Sequence, residues 1–379
     1  MKKLKIGFVV DDTLDKTDGV QQYVLTVGSW LAKNGHEVHY IVGQTKRTDI
    51  PNIHSVARNV AVKFNQNNLS IPLPANGKKI RQLLQHLDLD ILHIQAPYSP
   101  MMAAKVIRLA PEKTKIIGTF HILPFSRFER IATHILGMFM RRNVKRISAM
   151  LAVSEPARQF AEETYRLPAR VIPNAVDIAQ FQSSMVADAK KPRIIKIVFL
   201  GRLVPRKGAV ELLQAVAQLP KEYKEQVRIF IGGKGPLTQT LEGIIHTNKL
   251  DAIVELVGFV DESKKADFLG SADIAVFPSI SGESFGIVLI EAMAAGAGVV
   301  IGGDNPGYRT VLGDCPECII DPKNVDLFSD KLLQFMSDTS LRQNIHHKQQ
   351  RALQNYDIQR IGPRLLKEYQ RIIAEKIVL

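Results

Sequence analysis

Short apolar runs alternate with helix-like segments along most of this chain, and they do so in two successive series. Lys5–Val10 reads as an apolar strand, and Val20–Lys33 as a helix with apolar spacing stopped by Asn34-Gly35. Glu37–Val42 is the next strand, followed by strands at Ile91–Ile94, Ile116–Phe120 and Met150–Val153, each separated by a helix. A second series begins at Ile195–Leu200, with a helix from Gly208 and a strand at Val227–Gly232. It continues with a helix near Leu237–Thr247, a strand at Ile253–Val257, a short helix around Lys264–Gly270 and a strand at Ile274–Pro278. Such alternation predicts parallel, doubly wound sheets, an α/β fold with two similar units.

The 379 residues exceed what a single core usually fills. The expected division is 1–177 for the first unit and 178–357 for the second. A polar linker through Lys190-Lys191-Pro192 joins them, and the last helical stretch, Ile361–Ile377, returns to the first unit as part of 358–379. Ligands of open α/β sheets bind beyond the carboxyl ends of the strands, so the cleft between two facing sheets is the expected site.

Hydrophobic content of 45% and charged content of 23% are those of an ordinary globular protein. No apolar run is long enough to span a bilayer, and Met1-Lys2-Lys3-Leu4 leads into a strand rather than a signal peptide, so a cytoplasmic location is expected. Fifty basic against 37 acidic residues give +13, a charge that attracts phosphorylated substrates, anionic lipid or nucleic acid. Neither zinc-finger spacing, an RNP-like aromatic strand nor a basic zipper is present, which disfavours nucleic acid. Cys315-Pro316-Glu317-Cys318 is a C-x-x-C without the further ligands or thioredoxin-like setting that a metal or redox role needs. A turn beside a buried thiol is expected there.

The segment Gly282-Glu283-Ser284-Phe285-Gly286-Ile287-Val288-Leu289-Ile290-Glu291 places one carboxylate before a helix and a second inside it. A helix start offers unpaired N–H donors and partial positive charge, which together hold an anion such as a diphosphate. Glu283 and Glu291 are acceptors, suited to hydroxyls rather than phosphate. Phosphate plus sugar hydroxyls describes a nucleotide-sugar.

Other stretches fall at strand ends. Asp18-Gly19-Val20-Gln21 opens the first helix; Gly19 removes a side chain where backbone approaches a ligand, or is a plain turn glycine. The pattern is not G-x-G-x-x-G, which disfavours a nicotinamide cofactor. In Gly201-Arg202-Leu203-Val204-Pro205-Arg206-Lys207-Gly208, Arg202 and Lys207 flank a loop that either neutralises a departing diphosphate or is a solvated basic turn. His121 closes the strand Ile117-Gly118-Thr119-Phe120. It is suited to proton exchange or to hydrogen bonding with a substrate hydroxyl, although a structural histidine fits the same position.

Taken together, these stretches resemble the retaining glycosyltransferases of family four, which have the two-domain GT-B architecture. The resemblance rests on Asp18–Gln21, Gly118–His121, Val153-Ser154, Ile172-Pro173-Asn174-Ala175-Val176-Asp177, Gly201-Arg202, Arg206-Lys207-Gly208 and above all the E-x7-E pair Glu283 and Glu291. Ala175 departs from the usual glycine. The resemblance implies two Rossmann-like domains facing a central cleft, an acceptor-binding first domain and a donor-binding second. It implies that Arg202 and Lys207 grip the donor diphosphate, that Glu283 binds the donor sugar and that Glu291 binds the ribose. Phe285, Gly286, Ile287 and Val288 then lie at the phosphate-binding helix start, and Val260 gives a main-chain contact to the base. Gly19 becomes the close-approach glycine of the first domain, and His121 the histidine near the reacting sugar. No metal-binding D-x-D is present, so a divalent cation is not required by sequence.

A further resemblance, to bacterial phosphatidylinositol mannosyltransferases, is carried by Leu92–Pro100, Gly118–His121 and Gly282–Gly296. It implies GDP-mannose as donor and a lipid-linked or inositol acceptor such as phosphatidylinositol. Peripheral attachment at the inner face of the cell membrane is also implied. In Gly77–Leu87, Ile80, Leu83, Leu84 and Leu87 form a stripe with Lys78, Lys79 and Arg81 at its start. That pattern fits either an anionic membrane surface or the protein core, and the basic cluster 141–146 would add to the same membrane face. A UDP-sugar donor, a nucleotide-sugar epimerase of the same architecture and a non-catalytic polyanion binder are the alternatives.

Overall fold

A computed structural model describes residues 3–15, 18–64, 67–72, 76–95, 97–124, 127–181 and 194–375. Met1, Lys2, Ala96, the expected linker Lys190-Lys191-Pro192 and the end of the expected last helix lie outside the described residues, as do the side chains of Arg141 and Arg142. The chain divides into two compact units, Met1–Ala175 with Ile358–Leu379, and Val176–Asp357.

In the first unit the strands are β1 (Lys5–Val10), β2 (Glu37–Val42), β3 (Ile53–Ser55), β4 (Asn59–Phe64), β5 (Asn67–Pro72), β6 (Ile91–Ile94), β7 (Lys115–Phe120), β8 (Ala149–Ala152) and β9 (Ala169–Val171). Seven of them form one sheet in the order β3-β2-β1-β6-β7-β8-β9. All its pairings are parallel. In the second unit β10 (Ile195–Leu200), β11 (Val227–Gly232), β12 (Val254–Gly258), β13 (Ile274–Phe277), β14 (Val299–Gly303) and β15 (Ile319–Ile320) form a six-stranded sheet ordered β12-β11-β10-β13-β14-β15. Strands covered by helices on both faces are apolar throughout, which is why β13 reads Ile-Ala-Val-Phe and is buried at every position. The strand order reverses between β1 and β6 in one sheet and between β10 and β13 in the other. At such a switch point neighbouring strands send their following helices to opposite faces, and a crevice opens at the carboxyl ends.

The hairpin β4–β5 has no counterpart in the sequence expectation. It pairs antiparallel from Asn59↔Pro72 to Phe64↔Asn67, and its two strands mix polar and apolar residues too irregularly to announce themselves.

Two amphipathic helices pack into the first unit. In Gly77–Leu87, Asn76 caps the start by accepting from the Lys78 N–H at 2.9 Å. Ile80, Leu84 and Leu87 are buried, at 1%, 2% and 6% exposure, while Lys78, Lys79 and Arg81 face solvent. The apolar stripe therefore packs into the core, and only the basic side of this helix is left for a surface. The final helix, Ile358–Ala374, belongs to the first unit, where Ile361, Leu365, Tyr369 and Ile372 join the core of that sheet. It crosses Trp30 at Gly362, where a Cβ would sit 2.5 Å from the indole, and Trp30 Nε1 donates to Gln359 Oε1 at 3.1 Å.

That crossing tolerates no side chain at 362. Gly362→Val should lower stability by about 2 kcal/mol, the usual cost of overpacking a tight core. Gly243→Ala, in a helix with open space around it, should be neutral or stabilising by up to ~1 kcal/mol. Thermal denaturation of both variants checks this; equal melting temperatures would contradict the packing.

Candidate active site

The switch point of the second sheet brings the loops after β10 and β13 together. Ile280 N–H donates to the Arg206 carbonyl at 2.8 Å, and Gly208, at φ +76, passes so close to Pro278 that a Cβ would meet its carbonyl oxygen at 1.9 Å. Only glycine allows both the left-handed conformation and this approach. The loops thus deliver Arg206 and Lys207 to Glu283. Arg206 Nη1 and Lys207 Nζ each lie 2.8 Å from Glu283 Oε1, and Ser279 Oγ donates to the same oxygen at 2.7 Å. Three donors thus converge on one carboxylate oxygen. Burial would raise this carboxyl, but the Lys207 and Arg206 charges outweigh it and hold it down at about 2.

Glu291 also meets a cation, but burial raises its carboxyl against the pull of a single lysine. It lies in the helix Ile287–Ala294 and is 4% exposed, with its Oε1 2.5 Å from Lys265 Nζ. Lys265 also lies 3.6 Å from Glu262 and 5.6 Å from the Phe181 ring centroid. Burial opposes the charge on Lys265, yet the two carboxylates raise its pKa overall. Between the two glutamates lies the helix start. Gly286 caps it at φ +114, with Tyr308 where a Cβ would go, and the first N–H groups, at Ile287 and Val288, are those a helix leaves without partners. Phe285 is 1% exposed, its ring edge-on to Tyr356 at 5.4 Å. Its side chain is core, so only its backbone can serve a ligand.

The structure gathers Lys207, Glu283, Gly286, Ile287, Val288 and Glu291 on one edge of the second unit. Arg202 and Val260 stand on the same edge, after β10 and β12, with Val260 Cγ2 2.9 Å from the position of a Cβ on Gly232. Gly19 and His121 belong to the first unit, at the start of the helix Gly19–Lys33 and the end of β7. His121 Nε2 meets Gln95 Oε1 at 2.9 Å, and the Gln95 amide nitrogen points back to the His93 carbonyl. With Gln95 Oε1 as the acceptor, Nε2 carries the proton. Burial pushes the His121 imidazole down to about 3, so the expected proton exchange near neutral pH is lost and a neutral hydrogen-bonding ring remains.

Sequence reasoning gave no role to Arg206, Ser279, Lys265 or Asp11. Arg206 stood in a quoted motif; nothing in the sequence pairs Ser279 or Lys265 with its glutamate. Asp11 ends β1 with both carboxylate oxygens buried and without a well-formed hydrogen bond, although Ser99 and the Ala103 N–H lie near, and burial raises it to about 6. Cys315 and Cys318 are free and buried, and burial raises both thiols. Among the described residues no three His, Cys, Asp or Glu side chains group to hold a metal.

The depressed Glu283 carboxyl has a measurable consequence. Its value drops from 4.5 to about 2, so it contributes stability that is complete above pH ~4.5 and lost as pH falls toward ~2. The full contribution is about 3 kcal/mol, of which about 1 kcal/mol should vanish between pH 5 and 3.5. Denaturant unfolding across that window should show the parent losing this increment and Glu283→Gln lacking it. Parallel pH dependences would rule out the paired carboxylate.

Comparison with known proteins supplies the lineage. Residues 17–180 match the family model described as Glycosyltransferase Family 4, and residues 182–352 the one described as Glycosyl transferases group 1. A phosphatidyl-myo-inositol mannosyltransferase of Mycolicibacterium smegmatis is 29% identical over 373 residues, covering 97% of this chain and 94% of that protein. A GDP-mannose-dependent alpha-(1-6)-phosphatidylinositol monomannoside mannosyltransferase of Mycobacterium tuberculosis is 24% identical, covering 88% and 89%. In three dimensions the fold matches a glycosyltransferase of Rickettsia africae at TM-score 0.75 and 19% identity, covering 99% of this chain and 100% of that one. It also matches Anabaena HepE, solved with UDP and glucose, at TM-score 0.75 and 16% identity, covering 97% and 99%. The chain belongs to the glycosyltransferases, its first half to family four and its second to group 1.

Proposed function

We propose that this enzyme transfers mannose from GDP-mannose to the inositol headgroup of phosphatidylinositol, with retention at the anomeric carbon, as a peripheral enzyme at the inner face of the cell membrane. The observation that carries it is the anchored Glu283 beside a helix start and two cations, in a chain 29% identical over nearly its full length to phosphatidyl-myo-inositol mannosyltransferases.

Each part has a physical task. A lysine ammonium has three N–H donors; Lys207 spends one on Glu283 and keeps two for phosphate oxygens. Arg202 and the N–H groups of Ile287 and Val288 complete the cradle for the diphosphate. As the sugar–phosphate bond breaks, negative charge grows on the departing diphosphate, and these fixed donors stabilise it. The acceptor hydroxyl attacks from the side the diphosphate leaves, and its proton passes to a departing phosphate oxygen. Glu283 Oε2 accepts from a hydroxyl of the mannosyl group and Glu291 Oε2 from the ribose. The backbone at Val260 meets the base. In the first unit, the neutral His121 ring hydrogen-bonds a substrate hydroxyl. Gly19 gives the backbone close approach.

Glu283→Gln and Lys207→Ala should each lower mannosyl transfer at least ~10²-fold, the scale of removing one electrostatic stabiliser, while both proteins stay folded at the assay temperature by circular dichroism. Unchanged turnover in either would count against the assignment. A thermal-shift series with GDP, UDP and ADP and their sugar conjugates should single out GDP-mannose. Preference for a UDP-sugar would replace the donor and keep the enzyme class.

A further inference from the structure

We propose that the helix Arg127–Val144 lies on an anionic phospholipid bilayer through the face carrying Ile131, Ile135 and Met138. These side chains are 59%, 45% and 53% exposed. Their spacing of four and then three residues puts them on one side of the helix. No other helix among the described residues exposes more than one large hydrophobic side chain.

The opposite side already holds the helix to the first unit. Gly137 approaches Thr164, with a Cβ position 2.8 Å from its methyl group; Met140 and Val144 are buried; and the His134 ring meets Phe160 at 5.5 Å. Arg130 ties the start to Glu163 at 2.5 Å. The outer stripe is therefore not needed for the fold, and leaving three large apolar side chains in water calls for an occupant.

Charge selects the occupant. Residues 127–146 contain Arg127, Arg130, Arg141, Arg142, Lys145 and Arg146 against the single acid Glu129. Arg130 pairs with Glu163, and Arg146 donates to the Ile107, Arg108 and Ala110 carbonyls. Arg127 at one end and Arg141, Arg142 and Lys145 at the other therefore supply the basic flanks of the apolar centre. That is the pattern of a helix lying in the headgroup plane of an anionic membrane. The core of a protein–protein interface is instead depleted of charge and rich in aromatics. The helix Gly77–Leu87 keeps its apolar stripe in the core and can add only its basic side. Why this enzyme needs a bilayer rests on the phosphatidylinositol acceptor proposed above; the binding itself does not.

The test uses the full chain and the triple variant I131S/I135S/M138S. The parent should co-sediment with vesicles of phosphatidylglycerol and phosphatidylcholine, more weakly at high salt and with phosphatidylcholine alone. The triple variant should partition about tenfold less or lower. Its thermal shift with GDP-mannose and its transfer to a water-soluble inositol acceptor should equal the parent's. Equal sedimentation of parent and variant overturns the proposal. So does light scattering that finds the parent dimeric and the variant monomeric, since the face would then join two copies. If vesicle binding falls in the variant while the parent takes up no GDP-mannose, the membrane face stands and the donor assignment fails.

Discussion

The second unit is organised around a single oxygen atom. Glu283 Oε1 receives a guanidinium, an ammonium and a hydroxyl, all within 2.8 Å. The three donors come from two loops that leave adjacent strands at the reversal of strand order. Removing one partner of such a buried pair leaves an uncompensated charge and costs about 3–5 kcal/mol, so the loops are held in one arrangement. The surrounding glycines follow from it. Gly307 lies where a Cβ would come within 2.2 Å of the Glu283 carbonyl oxygen, and Gly303 where one would come within 2.2 Å of that of Ser279. Asn305 closes the back, donating to the Ser279 and Gly303 carbonyls and capping the helix Pro306–Leu312 through the Tyr308 N–H.

A second carboxylate–cation pair lies eight residues beyond Glu283. Glu291, like Glu283, has one oxygen against a cation, and in both cases the cation comes from a different segment of the chain. A carboxylate on a freely rotating side chain would lose conformational entropy on meeting a hydroxyl. One fixed in advance by Lys265 or Lys207 loses little. The ion pairs are best understood as positioning devices, because a buried pair adds little net stability over an apolar pair of equal volume.

Much of the fold was legible because parallel strands buried on both faces leave an unbroken apolar record. The strands β1, β2, β6, β10 and β11 begin and end where the apolar runs do. The hairpin β4–β5 left no such record. Periodicity was also blind to environment: Gly77–Leu87 and Arg127–Val144 both carry apolar stripes, and only packing reveals that the first stripe is inside and the second outside. In the site, Glu283, Glu291 and Lys207 stood out because a motif marked them. Ser279 and Lys265 did not, since their importance lies in which carboxylate they touch. The chemistry of His121 was likewise invisible, because burial sets its protonation and a sequence does not state burial.

The two units divide the electrostatics. Around the carboxyl ends of the first sheet, His93 is neutral between Tyr369 and Thr119, and His121 is neutral against Gln95. These are donors and acceptors without charge, suited to hydroxyl groups. The second unit offers Lys207, Arg206 and a helix start, suited to a phosphate anion; Glu283 stays ionised because two cations sit on it, while burial raises Glu291 against the pull of Lys265. Burial costs a neutral ring far less than a charge, so the first unit can enclose His93 and His121 without ion pairs. The second sets cations against Glu283 and Glu291.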